Sequence, residues 1–256
     1  TEHLSLVLGG RLSWYKTETT SEDSKSTNEQ KHEFTPFVGA IYDLNDKWSL
    51  YASYADIFMP QASSRTVDGK MMDPSVGSNY ETGIKGELLD KRLNVSFAVF
   101  YIEQEKVAAR DYANDGKCAG DIAGRCFINS DGISRSKGFE AEATGELLPG
   151  LQVAAGYTYN TTQSESGGPI SGQTPKHMLR LNTNYTLPGE WSRFSIGGGV
   201  SAQSHYYDPP IEVSNSGRAI FDARAAYKLD PHWTVGVDVE NLLDRKYFDS
   251  TGYWTR

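Results

Sequence analysis

Cys118 and Cys126 are the chain's two cysteines, eight residues apart among Asn114, Asp115, Gly116, Gly120 and Gly124. Thiols so spaced in a pliable polar stretch can bridge without strain, and an oxidising exterior would keep them bridged. A metal pair is the alternative, but no histidine is near in the sequence and two thiols do not make a zinc site. The expectation is a disulfide stapling a surface loop. His3, His32, His177, His205 and His232 are scattered, with no His-x-x-x-His spacing. They read as interfacial or solvated, and no metal ligands are assigned. Asp111 to Asp121 (DYANDGKCAGD) is rich in carboxylates but misses the spacing of a calcium loop, which takes ligands at positions one, three, five and twelve. It reads as a solvated acidic loop. Glu140 and Glu142 lie two apart, so on a strand they point the same way. They could do acid–base work, but a water-facing strand wall shows the same spacing, and no catalytic residue is assigned.

The remaining chemistry is non-covalent. Phe58, Tyr112, Tyr206, Tyr207, Tyr253 and Trp254 fall where long polar stretches meet apolar runs, with Gln61, Arg110 and Gln203 for company. Aromatic rings with a few hydrogen-bond donors suit a bulky, partly apolar ligand. The other reading of these rings is a membrane-interface girdle.

The segments that must carry these residues alternate with a period of two. Trp233, Val235, Val237 and Val239 are apolar, whereas Thr234, Gly236, Asp238 and Glu240 are small or polar. The pattern then breaks at Asn241 to Tyr247, whose Asn and Asp favour turns. Leu4, Leu6, Leu8, Leu12 and Trp14 repeat the rhythm in a first strand over Leu4–Lys16, followed by a wholly polar stretch, Thr17 to His32, that reads as a disordered loop. Further strands are expected over Glu33–Asp43, Trp48–Phe58 and Asn79–Leu89, from Leu93 through Tyr101, over Arg135–Leu148, from Leu151 through Tyr159, and around Leu181, Ile196 and Phe221. Short turns fall near 45, 90, 149, 189 and 230, and long connections follow 16, 58, 106, 163, 206 and 246. Pro149-Gly150 and Pro188-Gly189 are turn dipeptides.

Strands of about ten residues with short turns at one end and long loops at the other fit an outer-membrane barrel. A soluble sandwich, with strands of about five or six, is the competing architecture. Trp14, Tyr15, Trp48, Tyr54, Tyr101, Tyr159, Tyr185, Tyr227 and Trp233 crowd the strand ends, as interface rings do. The fold class is therefore all-β, an antiparallel transmembrane β-barrel. About eleven strands are counted, an odd number where a bacterial barrel needs an even one, so the chain is expected to be a piece of a larger barrel. No secretory signal opens it, as expected of a processed or internal segment. No stretch approaches the run of about 18 apolar residues that a membrane helix needs. The mean hydropathy of -0.53 does not exclude a barrel, whose lumen and loops are polar. A net charge of -8 speaks against a nucleic-acid partner.

Six collinear stretches carry a resemblance: YASYADIFMPQ (Tyr51–Gln61), NYETGIKGE (Asn79–Glu87), VFYIEQEKV (Val99–Val107), SKGFEAEATGELLPGLQVAAG (Ser136–Gly156), TPKHMLRL (Thr174–Leu181) and VENLLDRKY (Val239–Tyr247). Together they resemble the C-terminal half of TonB-dependent outer-membrane receptors, in the branch of ferric coprogen and ferripyoverdine receptors. The resemblance implies a 22-stranded barrel filled by an N-terminal plug, of which residues 1–256 would be one partial barrel domain without plug, coupling peptide or closing strand. It implies active import of a ferric siderophore, powered by the TonB–ExbB–ExbD complex. It further implies residence in a Gram-negative outer membrane, in contact with lipid bilayer and lipopolysaccharide. No cofactor is implied: iron arrives already wrapped in its chelate. Among the aromatics the resemblance favours Tyr207 and Trp254 as chelate contacts. A passive porin and, less favoured, a barrel hydrolase are the rival functions.

Overall fold

The computed structural model describes residues 3–20, 25–118, 124–165, 167–168, 170, 174–208 and 213–247. The chain runs through β1 (Leu4–Thr20), β2 (Lys25–Asn45), β3 (Trp48–Met59), β4 (Ser75–Leu88) and β5 (Leu93–Glu105). A small hairpin follows, β6 (Ala108–Arg110) with β7 (Phe127–Asn129), then β8 (Ser134–Leu148), β9 (Leu151–Gln163), β10 (His177–Thr186) and β11 (Phe194–Gln203). A second hairpin, β12 (Tyr206–Asp208) with β13 (Val213–Asn215), precedes β14 (Arg218–Lys228) and β15 (Thr234–Val239). Apart from the two hairpins, all strands join one eleven-stranded antiparallel sheet in sequence order, with β1 and β15 at its ends.

The period of two becomes two unlike faces because the register is kept from strand to strand. One rung reads Leu6–Ala40–Ala52–Thr82–Val99–Phe139–Tyr159. The next reads Ser5–Ile41–Tyr51–Gly83–Ala98–Glu140–Thr158–Met178–Gln203–Arg218. A slip of one residue in any strand would exchange its faces. The first face stays open: Leu6 is 67%, Leu8 77% and Trp233 68% exposed. Among the described residues that face meets no second layer, and the buried hydrophobic residues are few: Met72, Leu93, Ala98, Cys118, Cys126 and Tyr206. A sandwich would have covered those leucines, since each left in water forgoes about 2 kcal/mol of burial. Among the described residues two cavities open on the second face, one lined by Glu140, Glu142 and Thr144 and the other by Asn182, Asp222 and Arg224 among others.

Aromatic rings edge the apolar face at both ends. Near the long loops Tyr54 meets Tyr80 at 5.1 Å between centroids, and Tyr159 meets His177 at 4.9 Å. Near the short turns Phe194 meets Tyr227 at 4.4 Å. Trp48 and Tyr54 stand about 20 Å apart along β3. Tyr15, expected among these rings, is instead on the inner face: Trp14, Lys16 and Glu18 are exposed while Ser13, Tyr15 and Thr17 are more covered.

The polar stretch Thr17 to His32 departs from expectation. Instead of a loop, it continues β1 to Thr20 and opens β2 at Lys25, paired as Thr17↔Asn28 through Thr20↔Lys25. Its threonines suit a pleated ladder, and cross-strand pairing overrides the disorder-like composition. The β2–β3 ladder stops at Phe37↔Ala55, beside Pro36, which has no N–H to continue it. Above that point β1 and β2 form a two-stranded ribbon. The stretches read as plain loops at 107–134 and 207–217 also hold the two hairpins. Short turns are closed by side chains: Asn45 Oδ1 accepts the N–H groups of Lys47 (2.9 Å) and Trp48 (3.1 Å), and Asp230 Oδ1 accepts those of His232 (2.7 Å) and Trp233 (2.9 Å).

Candidate functional site

The inner wall is built from the polar residues of each alternation. Near the short turns it frames an open cavity of about 940 Å³ lined by Tyr51, Glu81, Lys85, Glu87, Glu140 and Glu142 among others. Tyr51 Oη donates to Glu81 Oε1 (2.6 Å), and Lys85 Nζ sits 4.8 Å from the Tyr51 ring centroid. The ring can lie there because Gly83 is beside it: a Cβ at that position would come within 2.7 Å of Tyr51 Cε1. Glu140 and Glu142 do share a face, as a water-facing wall requires. Among the described residues no group of three or more His, Cys, Asp or Glu could hold a metal. Farther toward the long loops the rung Ala55–Asn79–Ile102–Ser136–Thr162 carries no charge. From β3 to β9 the wall thus passes from carboxylates and lysine to amides, hydroxyls and aliphatic groups.

The candidate ligand residues fall into two groups and some outliers. Gln203 ends β11 on the inner face, opposite Arg218. Tyr206 and Tyr207 follow on β12, pairing with Asn215 and Ser214 of β13. Their side chains part: Tyr206 is 7% exposed with its hydroxyl accepting from Asn215 Nδ2 (2.9 Å), whereas Tyr207 is 50% exposed. Tyr206 therefore holds the hairpin together and Tyr207 is the ring on offer. The second group is Gln61, Arg110 and Tyr112. The Arg110 guanidinium pairs with Asp115 (2.7 Å) and lies 5.2 Å from the Tyr112 ring centroid. The amide of Gln61 is spent on backbone partners at Asp73, Lys106 and Ala108. Phe58 shares the β3 parity of Leu50, Ala52 and Tyr54, and so the apolar face of the sheet. Cys118 and Cys126 form a disulfide with Cα atoms 5.4 Å apart, and both are buried. Tyr253 and Trp254 lie outside the described residues.

Arg218 was missed by the sequence reading. It opens β14 on the inner rung with Gln203, and its guanidinium stands 4.3 Å from the Tyr247 ring centroid. Arg218 and Gln203 are brought opposite by the β11–β14 register, and the long connection between those strands hides that register from any local pattern.

A family described as TonB dependent receptor-like, beta-barrel, matches residues 1–242. The chain is 41% identical over 270 residues to a ferric-pyoverdine receptor of Pseudomonas sp. strain M114, covering 97% of this chain and 32% of that protein. It is 38% identical over 265 residues to the ferripyoverdine receptor of Pseudomonas aeruginosa, covering all of this chain and again 32% of the relative. It superposes on a crystal structure of that ferripyoverdine receptor bound to ferripyoverdine with a TM-score of 0.82, at 38% identity over 96% of this chain and 33% of the other. The chain thus spans about a third of the length of the curated relatives it matches.

Proposed function

The chain belongs to the TonB-dependent receptor β-barrel family, and from that premise we propose that it forms part of the wall and several outward loops of an active ferric-siderophore importer. One observation carries the reading. The register that turns an apolar face outward turns a continuous polar wall inward, as suits a lipid-embedded cylinder with a watery interior. The names of the relatives supply the cargo, a ferric chelate of the pyoverdine kind, and favour a receptor over a passive pore or an enzyme. The outer face then lies in a Gram-negative outer membrane against lipid and lipopolysaccharide.

In this reading the chelate is captured at the loop end of the wall. Tyr207 stacks on it, Gln203 and Arg218 meet its polar groups from the wall, and Trp254 and Tyr253 contribute further rings. Iron is cargo held by its own ligands, and the protein needs no resident cofactor. Release toward the cell interior is driven through the TonB–ExbB–ExbD complex. The test is growth rescue and labelled-iron uptake by the full-length gene in a receptor-deficient strain given a panel of ferric chelates. Uptake of at least one chelate should require an intact energy-coupling complex. Uptake that persists without it, or that tracks solute size alone, would replace the importer with a passive pore.

A further inference from the structure

The β3–β4 and β5–β8 connections are bonded to each other. Gln61, just past β3, donates from Nε2 to the carbonyl oxygen of Asp73 (2.7 Å), at the far end of its own loop. The same nitrogen donates to the carbonyl oxygen of Lys106 (2.8 Å), where the second loop begins, and Oε1 accepts the N–H of Ala108 (2.6 Å). One amide thus serves three backbone groups drawn from two loops. Farther out, the Phe127 N–H donates to the carbonyl oxygen of Arg65 (2.8 Å), again from one loop to the other. Phe127 follows the fully buried Cys126, which is bonded to Cys118 and whose carbonyl accepts the Asp111 N–H (2.8 Å). Met72 is buried at 2% exposure, its N–H held by the Ser64 carbonyl (3.0 Å). The β9–β10 connection leans on the same body, with Ser130 Oγ donating to Glu165 Oε2 (3.0 Å).

We propose that residues 61–73, 106–118 and 124–130 form one preassembled cap, with Gln61 as its brace and Cys118–Cys126 as its staple, whose order is lost as a unit. Two long loops ordered separately would each bear their own conformational entropy, whereas shared bonds make the order of each depend on the other. Gln61 is then a positioning residue. It holds the segment that carries Arg110 and Tyr112 without touching either. The proposal does not rest on the cargo assigned above, and its failure would leave that assignment standing.

The test is amide hydrogen exchange on the full-length receptor in lipid nanodiscs, comparing wild type with Q61A, Q61E and the double variant C118S/C126S. Q61A is expected to speed exchange by roughly an order of magnitude at Asp111 and Phe127, amides of the opposite loop that Gln61 does not itself bond. C118S/C126S is expected to do the same at Thr66 and Met72. Amides of β5 and β8 should stay unchanged and certify the fold. Gln61→Glu keeps an acceptor for Ala108 but turns a carboxylate oxygen against the carbonyls of Asp73 and Lys106, so it should open the cap as Q61A does. A glutamine that merely fills space would tolerate that exchange. Should the cysteine variant fail to assemble, Q61A and Q61E still decide. Effects confined to the substituted loop, or no change at any amide, would overturn the proposal, because both mean loops ordered independently.

Discussion

Tyr206 and Tyr207 are neighbours in sequence and identical in type, yet a two-residue alternation buries one and leaves the other half exposed. Tyr206→Phe deletes only the oxygen that Asn215 Nδ2 reaches, so about 1 kcal/mol of local order should be lost with chelate affinity retained. Tyr207→Ala removes the open ring, and affinity for the transported chelate should fall about tenfold or more, read by fluorescence quenching on the full-length receptor. Equal losses in both variants would mean that the hairpin's shape matters and the Tyr207 ring does not. The turn between β4 and β5 offers a stability test. Leu89, Asp90 and Lys91 have φ of 52°, 56° and 66°, a left-handed run that side chains resist. Asp90→Gly should raise stability by about 0.5–1 kcal/mol in urea-unfolding midpoints of the refolded receptor.

Each strand reports its orientation through what its two faces tolerate. Leu6 lies on the apolar rung with Ala40 and Ala52, and Ser53 lies on the inner face between Gly39 and Glu81. Leu6→Arg is expected to cost about 2–4 kcal/mol in folding into lipid, whereas Ser53→Arg should cost less than about 1 kcal/mol. Refolding titrations of the full-length receptor into phospholipid vesicles would measure both, and equal costs would contradict the assignment of faces. Most strands could be read from alternation, and turns from Asn45, Pro149-Gly150 and Asp230. The ribbon at Thr17 to His32 could not, because its polar residues look alike whether paired or loose; what orders them is the partner strand. Phe58, near a loop, keeps the face of Tyr54 four residues earlier, because β3 and β4 hold one register to the strand end.

For the sheet as a whole, β1 and β15 each have a single neighbour among the described strands. Unpaired backbone groups in hydrocarbon cost several kcal/mol each, so an eleven-stranded sheet in lipid needs both edges met. A polypeptide of residues 1–256 expressed alone is therefore expected to aggregate when offered vesicles. It should give no heat-modifiable monomer on cold gel electrophoresis, in contrast to the full-length protein. A protease-resistant inserted monomer of the segment would contradict this, and would imply that the edges pair with each other.

That Leu8, Val99 and Val237 share the apolar side of their strands was legible in the chain, because alternation is a local property, and among the described residues no second layer covers that side. The short turns were legible for the same reason, since Asn, Asp, Pro and Gly bend the backbone through their own bonds. Folding in three dimensions settled what depends on residues far apart in the chain. It set Gln203 across from Arg218, separated Tyr206 from Tyr207, joined two loops through Gln61, and kept Phe58 on the face of Tyr54. Gln203 finds Arg218, and Gln61 finds Lys106, across long connections, and no local stretch of sequence contains those partners.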